Sequence, residues 1–313
     1  MKRRTLIATA AALGMLASTP MALADEWRPS RPMTMVIGFA AGGSTDIQGR
    51  VLAPVLEEYF GQPVNVVNQP GGASAVALTR FLNAEPDGHT FVFGSLMGLT
   101  FSPLVTPVEY TMDSFRFGPT LVGAQFAVVT GGDSPFETFE DLVEHGRENP
   151  LTYAQQSPLD QVIMQRIAEQ EGIDLAIVPT GGGGGVAPLL LGGEVDFAFS
   201  GGIHSQYAPT GDMRILAFMT LERSPFYPDV PTLLELGYDF GIMDDARPFI
   251  LLADTPDEVM AAFEGAAAFA AEHPSFQEVV VETTQHPLML LDGDGTAEVA
   301  GIIRAANEGL MAD

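Results

Sequence analysis

Apolar residues recur along the chain in short runs parted by polar or glycine-containing loops, and their spacing predicts strands alternating with helices. Met33-Thr34-Met35-Val36-Ile37-Gly38 reads as a strand. Residues 46–60 carry Ile47, Val51, Val55 and Tyr59 at helical spacing, and Gly61-Gln62-Pro63 stops that helix. A strand at 64–67, a helix at 73–82, a turn at Pro86-Asp87-Gly88 and a strand at 90–93 follow. The rhythm restarts with strands at 121–129, 151–154, 175–178, 195–199 and 214–220. Helices are predicted at 138–146, 159–171, 186–191 and 256–273. Apolar strands joined to helices by short loops imply parallel sheets covered on both faces.

Two such α/β units in one chain imply two lobes with a cleft between them. No internal repeat, low-complexity linker or charge block marks an end-to-end boundary. Its absence favours lobes connected by continuous strands.

The first residues read differently. Lys2-Arg3-Arg4, an apolar stretch over 6–16 and the small-x-small pattern Ala22-Leu23-Ala24 predict a secretory signal peptide over 1–24, cleaved after Ala24. The stretch is shorter than the roughly 20 residues of a spanning helix. Export by the Sec route to the periplasm is expected, with Arg3-Arg4 leaving the twin-arginine route open.

Composition then removes whole chemistries. The 313 residues include no cysteine, which excludes disulfides, thiolate metal sites and a cysteine nucleophile. Lys2 is the only lysine, so the mature chain has none for a Schiff base or a P-loop. The net charge is −26, and loss of the leader leaves eleven basic against 40 acidic residues, net −29. No basic face exists for nucleic acid. The acidity reads as colloidal solubility or adaptation to a saline medium.

The segment Gly38-Phe39-Ala40-Ala41-Gly42-Gly43-Ser44-Thr45-Asp46 joins a strand to a helix and is the leading ligand-site candidate. Ser44, Thr45 or Asp46 is expected to cap the helix, while the small residues Ala40 to Gly43 let a ligand approach the backbone. Free N–H groups at a helix start, with the macrodipole behind them, form an anion site without a basic side chain. The run is neither a dinucleotide fingerprint nor a P-loop. Further small, polar loops follow other predicted strands: Gly94-Ser95, Gln155-Gln156-Ser157-Pro158, Thr180 with Gly181 to Gly185, and Ser200-Gly201-Gly202. Together they outline a cleft. Hydrogen bonds to a charged group contribute about 1.5–3 kcal/mol each. Three such donors and a dipole then reach the roughly 8 kcal/mol of a micromolar complex. The diffuse surface charge, screened over about 8 Å, opposes this weakly.

The usual catalytic and metal signatures are missing. His89, His145, His204, His273 and His286 are scattered, with no H-E-x-x-H pair and no G-x-S-x-G elbow. His89 is expected at a turn edge and His145 at a helix end. Asp244-Asp245 is expected in a solvated loop, and Asp292-Gly293-Asp294-Gly295 in a surface turn without the later glutamate of a calcium loop. No metal and no cofactor is expected.

These residues resemble the solute receptors of tripartite tricarboxylate transporters, the Bug proteins. The likeness runs from Arg31-Pro32-Met33-Thr34 through Phe39 to Asp46 and Leu52-Ala53-Pro54-Val55-Leu56. It continues in Gly61-Gln62-Pro63-Val64, Asn68-Gln69-Pro70-Gly71-Gly72 and Pro86-Asp87-Gly88-His89-Thr90. Leu191-Gly192-Gly193-Glu194-Val195-Asp196 and Pro228-Asp229-Val230-Pro231-Thr232-Leu233 complete it. The resemblance implies a type II periplasmic-binding-protein fold: two α/β lobes hinged by two strand crossovers, 25–125 with 246–313 and 126–245. It implies a monomeric, non-enzymatic receptor that closes on a small carboxylate and delivers it to large and small membrane subunits. A ligand sensor for a membrane kinase remains an alternative, and so does a hydrolase or isomerase acting on an anion. Carried onto this chain, the ligand contacts would be Phe39, Ala40, Ala41, Gly42, Gly43, Ser44, Thr45, Asp46 and Ser95 from one lobe. Gln155, Gln156, Ser157, Thr180, Gly181 and Gly201 would come from the other. Ala154-Gln155-Gln156-Ser157-Pro158-Leu159-Asp160 and Pro179-Thr180-Gly181-Gly182 depart from the family pattern, and the ligand's distal contacts depend on them.

Overall fold

A computed structural model describes residues 27–123, 125–239, 245–283, 285–286 and 288–312. The predicted leader lies outside the described residues. The strands are β1 Met33–Ile37, β2 Val64–Asn68, β3 Thr90–Phe93, β4 Phe115–Gly123, β5 Ala127–Gly131 and β6 Leu151–Gln155. They continue as β7 Leu175–Pro179, β8 Phe197–Ser200, β9 Met213–Phe218, β10 Ala246–Leu252 and β11 Leu288–Leu291. The principal helices are α1 Ser44–Phe60, α2 Ala75–Phe81, α3 Phe139–Gly146, α4 Pro158–Glu171, α5 Gly183–Leu191, α6 Asp257–Glu272 and α7 Gly293–Ala312.

Two sheets form, one per lobe. The first has the order β11-β4-β10-β3-β1-β2 and the second β7-β6-β8-β5-β9. β1 is parallel to β2 and β3, and β6 is parallel to β7 and β8, as the apolar runs predict. β4 and β10 are antiparallel to each other, and β5 is antiparallel to β8 and β9. The chain passes from the first sheet to the second between Gly123 and Ala127, and returns between Phe218 and Ala246. The single strand expected at 121–129 is therefore two strands in different sheets. The apolar pattern runs on without a break because both ends of the crossing are buried.

Helix α1 shows how the pattern becomes packing. Leu52, Val55, Leu56 and Phe60 are buried, whereas Ile47, Val51 and Tyr59 are only half-buried. The core stripe is thus rotated from the predicted one, and it meets Phe91, Phe249 and Phe263 in the first lobe's core. Phe126, Tyr153, Phe197 and Phe199 anchor a core of the second lobe. Helix α7 was not foreseen. It packs on β4, its Leu310 joins the second-lobe core, and the Leu310 carbonyl accepts from Arg166 of α4. The turn expected at 292–295 is the start of this helix, where Asp292 Oδ1 accepts the Gly295 N–H at 2.8 Å. No helix among the described residues is long and apolar enough to cross a membrane.

Candidate ligand-binding site

The loop after β1 is braced from behind. Gly43 takes the N-cap position of α1 and has no side chain to cap it. Asp46, in the first turn, reaches back instead. Its Oδ2 accepts the Gly42 N–H at 2.8 Å and Arg50 Nε–H at 3.0 Å, and its Oδ1 accepts Asn68 Nδ2–H at 2.9 Å. Asn68 also donates to the Phe39 carbonyl at 3.0 Å. Burial works to raise the Asp46 pKa, but the bonds from Arg50, Gly42 and Asn68 outweigh it and hold the carboxyl below its ordinary value. Asp46 therefore fixes the loop and is not part of the cavity wall.

That cavity lies where the loops of the two lobes meet. It is a small cleft with about 420 Å³ of empty space, counting its opening to solvent. Phe39, Gly43, Ser44, Thr45, Ser95 and Met97 line it from the first lobe, and Phe126, Gln156, Ser157, Gly183, Phe199 and Gly201 from the second lobe and its crossing. Asp245 and Arg247 complete the wall. Several loop residues lie outside it. The Ala40 N–H donates across the lobes to the Gly181 carbonyl at 3.0 Å, and the Gly43 N–H donates to the Ala40 carbonyl at 3.4 Å. A Cβ on Gly184 would stand 2.1 Å from the Ala41 carbonyl oxygen, so glycine is required for this approach. Ala40, Ala41 and Gly181 thus belong to the contact between the lobes, while Gly42 is held by Asp46. Gln155 and Thr180 brace the second-lobe loops: Gln155 Nε2–H donates to the Ser157 carbonyl at 2.9 Å, and Thr180 Oγ1–H to the Gln155 carbonyl at 2.7 Å.

Three helix N-termini converge on the cavity, those of α1, α4 and α5. At α4 the N–H groups of Gln156, Ser157 and Asp160 are already taken. Asp160 Oδ2 accepts the N–H groups of Gln156 and Ser157, both at 3.0 Å, and Ser157 Oγ accepts the Asp160 N–H at 3.2 Å. Burial pushes the Asp160 carboxyl up to about 8. At α1 and α5, first-turn N–H groups have no intrahelical acceptor. Those of Ser44, Thr45 and Gly183 have no partner among the described residues. Donors of this kind, with two helix dipoles behind them, attract an anion.

The wall also carries two ionisable residues that the sequence reading did not place in the site. Asp245, expected in a solvated loop, is 5% exposed. Its Oδ1 accepts the Leu96 N–H at 2.9 Å. Burial raises its pKa to about 6 against the lowering effects of Ser95, Arg247 and nearby amides. Asp244 lies outside the described residues. Arg247 is 3% exposed; its Nη1 donates to Gln48 Oε1 at 2.5 Å, and its Nη2 to the Gly201 carbonyl at 2.7 Å and Ser44 Oγ at 3.2 Å. Burial lowers the Arg247 pKa to about 10, so the guanidinium stays charged at neutral pH. The visible signal was an arginine inside an otherwise apolar strand. Met97, Phe126 and Phe199, also unforeseen, make the apolar part of the wall.

Beside the cavity, the turn after β8 is set by His204. Its Nδ1 lies 2.8 Å from Ser200 Oγ and its Nε2 3.2 Å from Gln125 Oε1. Ser200 Oγ accepts the Gly202 N–H at 3.3 Å and the His204 N–H at 3.1 Å, so its own O–H donates to Nδ1 and the ring proton sits on Nε2, facing Gln125 Oε1. Burial drops the His204 pKa to about 3, so the ring is neutral. His89 is buried at its turn beside Asp87, and His145 lies in the last turn of α3, as expected. No group of three or more His, Asp or Glu side chains among the described residues is placed to hold a metal.

Two α/β lobes that meet over a small donor-lined cavity define a solute-binding protein. Residues 49–294 match the model of the tripartite tricarboxylate transporter family receptor. The UPF0065 protein in the gbd 5′ region of Cupriavidus necator is 32% identical over 92% of this chain and 90% of its own. The chain belongs to this receptor family, whose members are named as receptors and binding proteins and not as enzymes. The periplasmic binding protein BugD superposes with a TM-score of 0.82 at 24% identity, covering 91% of this chain and 98% of that one. MatC from Rhodopseudomonas palustris with bound malate gives 0.80 at 21% identity, covering 90% and 99%. At these identities the likeness establishes the type II periplasmic-binding-protein fold.

Proposed function

We propose that the mature chain is a periplasmic receptor that closes its two lobes over one small carboxylate and presents it to the membrane subunits of a tripartite transporter. The observation that carries this reading is the cavity itself: Ser44, Thr45 and Gly183, whose first-turn amides have no partner among the described residues, and the buried Arg247 line one cleft. These donors favour an anion, Asp245 in the same wall opposes it when ionised, and the chain's overall charge of −26 acts only from a distance. MatC, which shares the fold, has malate bound.

A thermal-shift screen of mono-, di- and tricarboxylates and their amides tests the reading. A ligand that binds only the folded state raises the melting temperature in proportion to the logarithm of its concentration. At least one acid is expected to do so. No shift with any acid, alongside a clear shift with a neutral or cationic solute, contradicts it.

A further inference from the structure

Most donors in this cavity are neutral amides, which attract the carbonyl oxygen of an amide or ester as well as a carboxylate. Arg247 differs from them in kind. Its guanidinium is buried in the cavity wall, and its three acceptors, Gln48 Oε1, Ser44 Oγ and the Gly201 carbonyl, are all uncharged. Among the described residues no carboxylate forms an ion pair with it. Asp245 lines the same cavity and acts on it through the field without contact. Two of the five N–H groups, on Nε and Nη1, have no acceptor among the described residues. A buried cation with spare donors and no contacting anion is costly unless a ligand completes it.

We propose that Arg247 is the specificity-determining residue of the cleft, pairing with the ligand's carboxylate so that the receptor takes an ionised acid and rejects its neutral amide. The inference rests on the carboxylate reading above and adds to it the group that separates acid from amide. The amides of Ser44, Thr45 and Gly183 supply affinity to either ligand, whereas the guanidinium supplies the difference between them. Its bond to the Gly201 carbonyl also places the selecting charge on the contact that joins the lobes.

The test measures matched pairs, succinate against succinamide and malate against malamide, by titration calorimetry on the mature protein and on Arg247→Gln and Arg247→Lys. Wild type is expected to prefer the acid of at least one pair by about 100-fold, the ratio that one charge-assisted bond supplies. Arg247→Gln is expected to bring that ratio within about threefold, and Arg247→Lys, which keeps the charge without the planar fork, to preserve the preference at lower affinity. Acid binding with an unchanged ratio in Arg247→Gln overturns the role of Arg247 and leaves the carboxylate reading standing. If wild type binds no acid of the mono-, di- and tricarboxylate screen tightly enough to measure, the carboxylate reading and this inference fall together. Should the glutamine variant not fold, a folded lysine variant that has lost the preference overturns the inference, and one that keeps it supports it.

Discussion

The Ser44 hydroxyl, in the first turn of α1, donates to the Gly201 carbonyl at the end of β8 at 2.7 Å, bonding one lobe to the other. Arg247 Nη2 donates to the same oxygen at 2.7 Å and to Ser44 Oγ at 3.2 Å. One carbonyl of the second lobe is therefore held by two donors of the first. The turn that carries it is tight, since a Cβ on Gly202 (φ 114°) would stand 2.2 Å from the His286 ring. A ligand bound between the lobes gains whatever free energy these contacts contribute to closure.

Ser44→Ala removes one of the two donors and leaves the amide of residue 44 in place. A neutral hydrogen bond contributes about 1 kcal/mol net, so affinity for the bound acid is expected to fall about fivefold. Calorimetry on both proteins checks this, and equal affinities would show that the contact does not stabilise the closed state.

His204 makes acid stability a local property. Its folded pKa of about 3 lies below the ordinary 6.5 because the ring is buried. The unfolded chain therefore binds the proton more readily, and the stabilisation is complete above pH 6.5 and lost as pH falls toward 3. Asp160 and Asp245, with pKa values raised to about 8 and about 6, act in the opposite sense, favouring the folded state at low pH. Comparison with His204→Gln isolates the histidine. Its destabilisation relative to wild type should shrink by about 1.4 kcal/mol per pH unit between pH 6.5 and 4.5. Urea unfolding midpoints give the answer, and a constant difference would mean that His204 does not enter the fold as a neutral ring.

Asp245 opposes an incoming anion when ionised, and Arg247 is the charged group among the described residues that acts on it. Above pH 6 the carboxylate is charged and Asp245→Asn should tighten acid binding, by about threefold to tenfold at pH 7.5. At pH 5 wild type is itself protonated there, and the two proteins should bind alike. Weaker binding by the asparagine variant at pH 7.5 would instead make Asp245 an acceptor for a donor on the ligand.

Much of the frame was legible because parallel strands buried on both faces write themselves as apolar runs, and glycine or proline ends the helices between them. β10 escaped because Arg247-Pro248 interrupts its run, although all seven of its residues are buried. α7 escaped because Gly293, Gly295, Gly301 and Gly309 read as breaks. The loop from Phe39 to Asp46 stood out as a run of small residues between a strand and a helix. Asp245 and Arg247 did not, for a topological reason. A search at the carboxyl ends of predicted strands finds the loops of parallel strands, and β10 runs antiparallel to β3. Its amino end, with Asp245 and Arg247, therefore arrives at the same sheet edge, 203 residues after Ser44. The sequence reading assigned the pull on an anion to main-chain amides alone, and the structure places a buried arginine in the same wall.

The donors at the start of α1 are central to the proposed site. A Cβ on Gly43 would lie 3.4 Å from the Gly184 nitrogen and 3.5 Å from the Gly183 nitrogen. Gly43→Asp therefore puts a fixed carboxylate among the amides that await the ligand's own. Titration of the best acid from the thermal-shift screen into wild type and Gly43→Asp is the decisive measurement, with far-ultraviolet circular dichroism confirming the fold of both. Micromolar binding by wild type and none by the variant is the predicted result; equal affinity in the two would remove this loop from the binding site.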